Sequence, residues 1–473
     1  MSINKQAGAQ KNSLPLGKQR NNQEVIDFLN ANWQTSLDGK SVERMKQIDK
    51  IFGSPSQKIT HTILIGGTNG KSLTAHFTAK LLREEGFSVG TFYSPHILTY
   101  NERFALDNEI INSKSFTEKA NEVINAIEEA KIKANTQEIL TQIAFNIFVE
   151  NNVDVALLEV EKGGISSPVS ICNPKIVAIT RLTSNDVDQN GEASTSTIAE
   201  YLGIVRKDTQ LISGDQNKTN VKNMNDFVDK AGAQWAMPIR KLVALPYPFE
   251  QLQGRCAALA ERICSIFVND FAENHPSLIE DSLVAKKKGQ RGRPTLDAKR
   301  ESELNPKRTL EHFWKETINT LPGRFQLLEK DKPAVLLDNA SNLDALENLL
   351  LGIRLLHYSK NLKGLALIMS CTKDSFKSEE FLKTIRYFFK KTSGSVFLCP
   401  LPANESGIAD SWNADDVAQE MRIFKIKAKS SDTFKEAFEA AKKTVNERQG
   451  LIVVTGSSAV VAEFWNVKGV KKN

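Results

Sequence analysis

TILIGGTNGKS, Thr62 to Ser72, decides how the rest of this 473-residue chain is read. Thr62 to Ile65 are apolar or β-branched and predict a buried strand. Gly66, Gly67 and Gly70 then allow a backbone path without Cβ atoms, whose N–H groups can close around an anion. In such a loop Lys71 places a point charge on terminal phosphates, and the Ser72 hydroxyl is an oxygen donor for Mg²⁺. Leu73, Phe77 and Leu81 follow at four-residue intervals, an apolar stripe that predicts a helix ending near Gly86. Strand, glycine loop, Lys-Ser and helix, in that order, is the setting of a phosphate-binding loop. Gly67, Thr68, Asn69, Gly70, Lys71 and Ser72 are the expected nucleotide-binding residues. The spacing departs from the common GxxxxGK[ST] in one respect, since Ile65 stands at the first glycine.

Length and composition set the frame around this loop. A chain of this size holds about two to three domains, and 40% hydrophobic residues suffice for proper cores. No stretch approaches the roughly 20 apolar residues of a membrane helix, so no membrane association is expected. MSINKQAGAQKNSLPLGKQRNN (1–22) is polar, has no apolar core of a secretory signal, and reads as a disordered lead-in. Cys172, Cys256, Cys264, Cys371 and Cys399 are scattered without metal-like spacing, which fits buried free thiols in a reducing cytoplasm. The net charge of +6 is local. Residues 286–310 carry nine Lys or Arg against three acids.

Elsewhere strands and helices alternate. Residues 23–52 and 115–133 read as amphipathic helices, and Ile139, Ile143 and Ile147 mark another within 136–152. Strand-length apolar runs lie at 88–96, 153–160, 174–180 and 209–213, then at 334–338, 364–369, 395–399, 422–426 and 451–455. Between these groups, about 276–310 lacks apolar period and reads as an exposed basic insertion. The fold class predicted is α/β: a P-loop ATPase-type central domain (23–318) with a parallel-rich sheet, then a smaller C-terminal Rossmann-like α/β domain (319–473).

Several stretches occur together in one family's order: GTNGK (67–71), SPH with NERF (94–104), E-x-x-T-x-x-AF (138–145), LEV-x-x-GG (158–164), PGRFQ (322–326), D-x-A-x-N (338–342) and VTGS (454–457). This set resembles folylpolyglutamate synthase/dihydrofolate synthase, of the Mur ligase superfamily, over about residues 40–465. The resemblance implies a cytoplasmic, monomeric ATP-dependent ligase in folate metabolism, with pteroate or folate and L-glutamate as substrates. ATP would convert a substrate carboxylate to an acyl phosphate, which the glutamate amine attacks to form an amide. Its cofactors would be ATP and Mg²⁺. The resemblance assigns Lys71 and Glu159 to catalysis, Arg324 and Asp338 to the nucleotide, and Ser72, Ser94 and Glu159 to Mg²⁺. It leaves His96 open between a local structural role and a site role.

The departures from the family cluster at the chemistry. TSND (183–186) stands where the family has G-L-D-H, putting Asp186 at a metal-binding histidine; Asp188 is an equal candidate in the same loop. Asp186 still offers Mg²⁺ an oxygen. Tyr201 replaces a lysine that is carbamylated in many members, and GGISSPVS (163–170) lacks the arginine and aspartate of G-G-R-x-D. Ser341 replaces a nucleotide-proximal histidine, and Glu250 and Gly254 replace the ends of H-Q-x-x-N. A nucleotide-binding relative with impaired catalysis is the alternative these changes raise. KKKGQRGRPT (286–295) has the composition of a minor-groove arm, but it is one short copy, and nucleic acid is not an expected partner.

Overall fold

The computed structural model describes residues 17–33, 39–161, 163–182, 195–238, 251–271, 321–373, 379–401 and 411–470. Asp186, Asp188, Glu250 and the basic insertion lie outside these residues, as does the expected domain boundary at 318–319.

The first sheet contains β1 (His61–Gly66), β2 (Val89–Phe92), β3 (Phe104–Leu106), β4 (Glu109–Ile110), β5 (Val155–Glu159), β6 (Ile176–Ile179), β7 (Gln210–Ser213) and β8 (Gln234–Ala236). Its order is β4-β3-β2-β5-β1-β6-β7-β8, parallel from β2 to β8 and antiparallel in the β2-β3-β4 meander. The central strand β1 shows why its sequence carries no alternation. Leu64 joins Ala156, Leu158 and Val177 on one face, while Ile63 and Ile65 join Val155, Leu157 and Ile176 on the other. Both faces are covered, so Ile63, Leu64 and Ile65 are apolar in unbroken succession.

The helix Lys71–Glu84 is buried beyond its predicted stripe, His76, Thr78 and Ala79 included. Its outer side is covered by the helix Gln251–Asp270, whose Cys256 and Cys264 thiols each lie 3.5 Å from carbonyls of Gly70 and Thr78. All five cysteines are buried and free. On the opposite face, Glu138 caps the helix Thr136–Glu150 and accepts from Arg44 and Ser41, each at 2.7 Å. That buried carboxylate ties the helix to Ser41–Ile51.

The second sheet contains β9 (Gln326–Leu328), β10 (Ala334–Leu337), β11 (Leu365–Met369), β12 (Ser395–Leu398), β13 (Ala428–Ser430) and β14 (Leu451–Thr455). Its order is β13-β12-β11-β14-β10-β9, with β9 alone antiparallel. The α/β class, with a large parallel-rich sheet and a second C-terminal sheet, is as predicted. Among the described residues no helix is long and apolar enough to cross a membrane.

Three local expectations are corrected. RIFKI (422–426) is not a strand: the helix Ala414–Ile423 runs into it, burying Ala418 and Met421 at helical spacing, and Lys425 turns the chain at φ 60°. Residues 23–52 form two helices, Asn22–Ala31 and Ser41–Ile51. Within the lead-in, residues 17–21 are held rather than loose. Arg20 is buried and bonds Asn125 and Glu128, each at 2.7 Å, on the helix Ser113–Glu129.

Candidate active site

The phosphate loop leaves the C-terminal end of β1, between β5 and β6, where ligands of open parallel sheets bind. Gly67 turns at φ 113°, and a Cβ there would lie 2.3 Å from Thr180 Oγ1, so only glycine fits. Gly70, at φ 88°, leads into the helix Lys71–Glu84. The Thr68 N–H donates to the Arg181 carbonyl at 2.8 Å, which fixes the loop against the end of β6. Lys71 folds back so that Nζ donates to the carbonyl of Gly67 at 2.8 Å.

Glu159 ends β5 in register with Ile65 and is 1% exposed. The Ser72 hydroxyl lies 2.9 Å from its Oε1, and the Ser94 N–H donates to Oε2. Burial raises the Glu159 pKa, against the pull of Lys71, Arg324, Ser94 and Ser72. A buried carboxylate flanked by two serines is a set of hard oxygen donors, the kind Mg²⁺ takes. Among the described residues no group of three His, Cys, Asp or Glu converges.

The second sheet completes the site. Arg324 Nη2 donates to Ser72 Oγ at 2.9 Å, and Nη1 to the Pro322 carbonyl at 3.2 Å. Asp338 directly follows β10. Its two oxygens accept the N–H groups of Phe325 and Ala340, at 2.8 and 2.9 Å, and so shape the turn that carries Arg324. Burial pushes the Asp338 carboxyl up to about 6, opposed by those N–H groups and Arg324.

Several contacts around the site tie its segments together. Asn69 and Asn342 exchange amide hydrogen bonds at 2.9 and 3.0 Å, and Asn69 also donates to Asp344 at 2.8 Å. Arg181 pairs with Asp344 at 2.7 Å, so the first turn of the helix Leu343–Lys360 grips both the loop and β6. Arg103, 1% exposed, donates to His96 Nδ1 at 3.0 Å, Ser94 Oγ at 3.3 Å and Glu161 at 3.1 Å. His96 thus has a local partner, and the SPH segment is braced from behind. His76 lies one turn beyond Ser72, facing the Tyr93 hydroxyl at 3.3 Å; burial lowers it to about 3, so its ring is neutral.

The departing residues also find places. Tyr201 is buried in the core with its ring against Gly66. The neighbouring Glu200 accepts from the Gly164 and Ser166 N–H groups at 3.0 and 2.9 Å and from the Ser166 hydroxyl. Burial raises that carboxyl, but these donors more than offset it, and its pKa is lowered. GGISSPVS is therefore held by a carboxylate from the helix Thr195–Leu202.

Fold and site together define a two-domain α/β protein with a phosphate-binding loop at the end of its central strand. No family model matches the chain. It is 26% identical over 320 residues to dihydrofolate synthase/folylpolyglutamate synthase of Bacillus subtilis, across 65% of this chain and 70% of that one. It is 23% identical over 422 residues to folylpolyglutamate synthase of Lacticaseibacillus casei, across 86% and 89% of the two chains. The structure of Mycobacterium tuberculosis folylpolyglutamate synthase complexed with ADP matches it with a TM-score of 0.72 at 20% identity, over 95% of this chain and 98% of that one. Other structural neighbours hold AMPPNP with manganese, one of them with L-glutamate as well. The curated relatives and structural neighbours are folylpolyglutamate and dihydrofolate synthases.

Proposed function

We propose that this chain is an ATP- and Mg²⁺-dependent ligase that joins L-glutamate to the carboxylate of a pteroate or folate. The observation that carries the reading is the meeting at one hydroxyl of three elements. Ser72 of the phosphate loop is bonded both to Glu159 from β5 and to Arg324 from the second domain.

A carboxylate is a poor electrophile until one of its oxygens becomes a leaving group. In the first step a carboxylate oxygen takes the γ-phosphoryl group of ATP and ADP departs. In the second the glutamate nitrogen forms a bond to the carbonyl carbon, phosphate leaves with the oxygen, and the nitrogen loses a proton. Such transfers depend on positioning and charge neutralisation more than on covalent help from the protein. Lys71 exchanges the Gly67 carbonyl for phosphate oxygens, and Arg324 brings a second positive charge from the facing domain. Ser72, Ser94 and Glu159 would hold Mg²⁺, which would supply charge neutralisation at the phosphate oxygens. Asp186 is the proposed further oxygen donor, and Asp338 positions Arg324.

The impaired relative is the less favoured alternative. The groups at the phosphate end are assembled, and similarity to the synthases runs through nearly the whole chain. The test is ADP formation by the purified protein with ATP, Mg²⁺, L-glutamate and dihydropteroate or a reduced folate. The reading expects ADP release to require both organic substrates. ADP release indifferent to them would contradict it.

A further inference from the structure

Arg255 opens the second turn of the helix Gln251–Asp270, half-buried, beside the phosphate loop. Its neighbour Cys256 places its thiol 3.5 Å from the Gly70 carbonyl, which fixes this turn against the loop. Arg181, Asp344 and Asp215 lie within electrostatic reach of the guanidinium. All three are tied to the loop or to the strand end beside it. Arg181 accepts the Thr68 N–H, Asp344 accepts from Asn69, and Asp215 accepts the Leu182 N–H at 2.9 Å.

Both carboxylates near Arg255 are already engaged. Asp344 spends one oxygen on Arg181 and the other on Asn69. Asp215 accepts from Leu182 and Asn220 through one oxygen and from Asn217 through the other. Among the described residues Arg255 forms no hydrogen bond or ion pair. A half-buried guanidinium next to a second arginine, with no direct acceptor among the described residues, is costly unless a ligand completes it. Burial, and then Arg181, lower its pKa, in keeping with that setting.

Its position within the site indicates which part of a ligand it meets. Glu159, Ser94 and Arg324 gather on the β5 side of β1. Arg181 and Asp215 lie on the other side, at the ends of β6 and β7. A nucleotide whose terminal phosphates meet Lys71 and Ser72 has its nucleoside end left for this second side. The residue before Arg255 is Gly254, which has no side chain to offer.

Resting on the proposed nucleotide site, we infer that Arg255 is a nucleotide-recognition residue that grips the nucleoside end of bound ATP or ADP. The planar guanidinium suits this task, because it stacks on aromatic faces such as that of a nucleobase.

The experiment is isothermal titration calorimetry of the full chain with ADP and, separately, with inorganic tripolyphosphate, which has no nucleoside. Wild type, Arg255→Ala and Arg255→Lys are compared, with melting temperatures recorded for each. ADP affinity is expected to fall at least 10-fold in Arg255→Ala, and to recover only in part in Arg255→Lys. Tripolyphosphate affinity should stay within 2-fold of wild type in both. Equal losses for the two probes, or a lowered melting temperature accounting for the loss, would assign Arg255 to structure and overturn the inference. So would unchanged ADP affinity in Arg255→Ala. Failure of wild type to bind either probe would instead overturn the nucleotide site itself.

Discussion

Arg324 donates to the Ser72 hydroxyl at 2.9 Å, joining residues 252 positions apart in the chain. The contact makes the second domain part of the phosphate site. Arg324→Ala should lower kcat by about 10²–10³-fold, the cost of losing one preorganised charge-stabilising donor. Arg324→Lys should recover little, since a single ammonium cannot hold Pro322 and reach the hydroxyl together. Steady-state kinetics on the two variants, with ADP affinity measured alongside, check this. An Arg324→Ala enzyme with wild-type kcat would remove the arginine from the chemistry.

Lys71 is partly exposed, and its ammonium donates to the loop carbonyls of Gly67 and Thr68. Lys71→Ala should therefore leave the melting temperature nearly unchanged. ADP affinity should fall about 10- to 150-fold, as expected for loss of a charge-assisted hydrogen bond of roughly 1.5–3 kcal/mol. Calorimetric titration and a thermal melt decide the point together.

How far the site was legible in the sequence follows from the range of its interactions. The glycine spacing, Lys71 and Ser72 are consecutive, so their backbone path and burial follow from local rules. Glu159 ends an apolar run, and a strand end is readable. Asn342 and Arg103 lie in quoted motifs, but their contacts, like those of Asp344, span many residues and are not legible from local pattern. Arg103 is buried and fully surrounded, which no periodicity around NERF suggests. RIFKI failed for a different reason. Three apolar residues in a run of five read as a short strand, but the buried Ala418 and Met421 before them impose the helical period. The meander of β3 and β4 also went unread, being two strands of three and two residues, the first beginning at Phe104, the last residue of the NERF motif.

Asp338 connects pH to the turn that carries Arg324. Its carboxyl is raised from 3.8 to about 6 in the folded chain, so the unfolded state releases its proton first as pH rises. The contribution of Asp338 to stability is therefore fully present below its unfolded pKa and is lost as pH rises through about 6. Asp338→Asn removes this titration. It also leaves one of the two buried N–H groups without an acceptor, at a cost of about 1–3 kcal/mol. Denaturant unfolding between pH 4 and 7 should show a lower, flatter stability curve for the variant over this window. A variant retaining the wild-type slope would place the titrating group elsewhere.

Asp186 is proposed as an oxygen donor to Mg²⁺ together with Glu159, Ser72 and Ser94. Two carboxylates at one site repel unless a cation lies between them. Asp186→Asn should raise the Mg²⁺ concentration for half-maximal activity by about 10-fold or more, and Asp186→His should recover part of it. Asp188→Asn is the control, expected to leave Mg²⁺ dependence unchanged. A reversal of the two results would move the assignment to Asp188.

The central claim is that the assembled phosphate site drives amide formation between a pteroate or folate carboxylate and L-glutamate. The most direct test is mass spectrometry of the organic product after incubation of the purified chain with ATP, Mg²⁺, L-glutamate and either dihydropteroate or a reduced folate. The account predicts a product heavier than its acceptor by one glutamyl residue, formed with one ADP per bond and absent when ATP is omitted. Unmodified acceptors after nucleotide binding has been verified in the same preparation would contradict it.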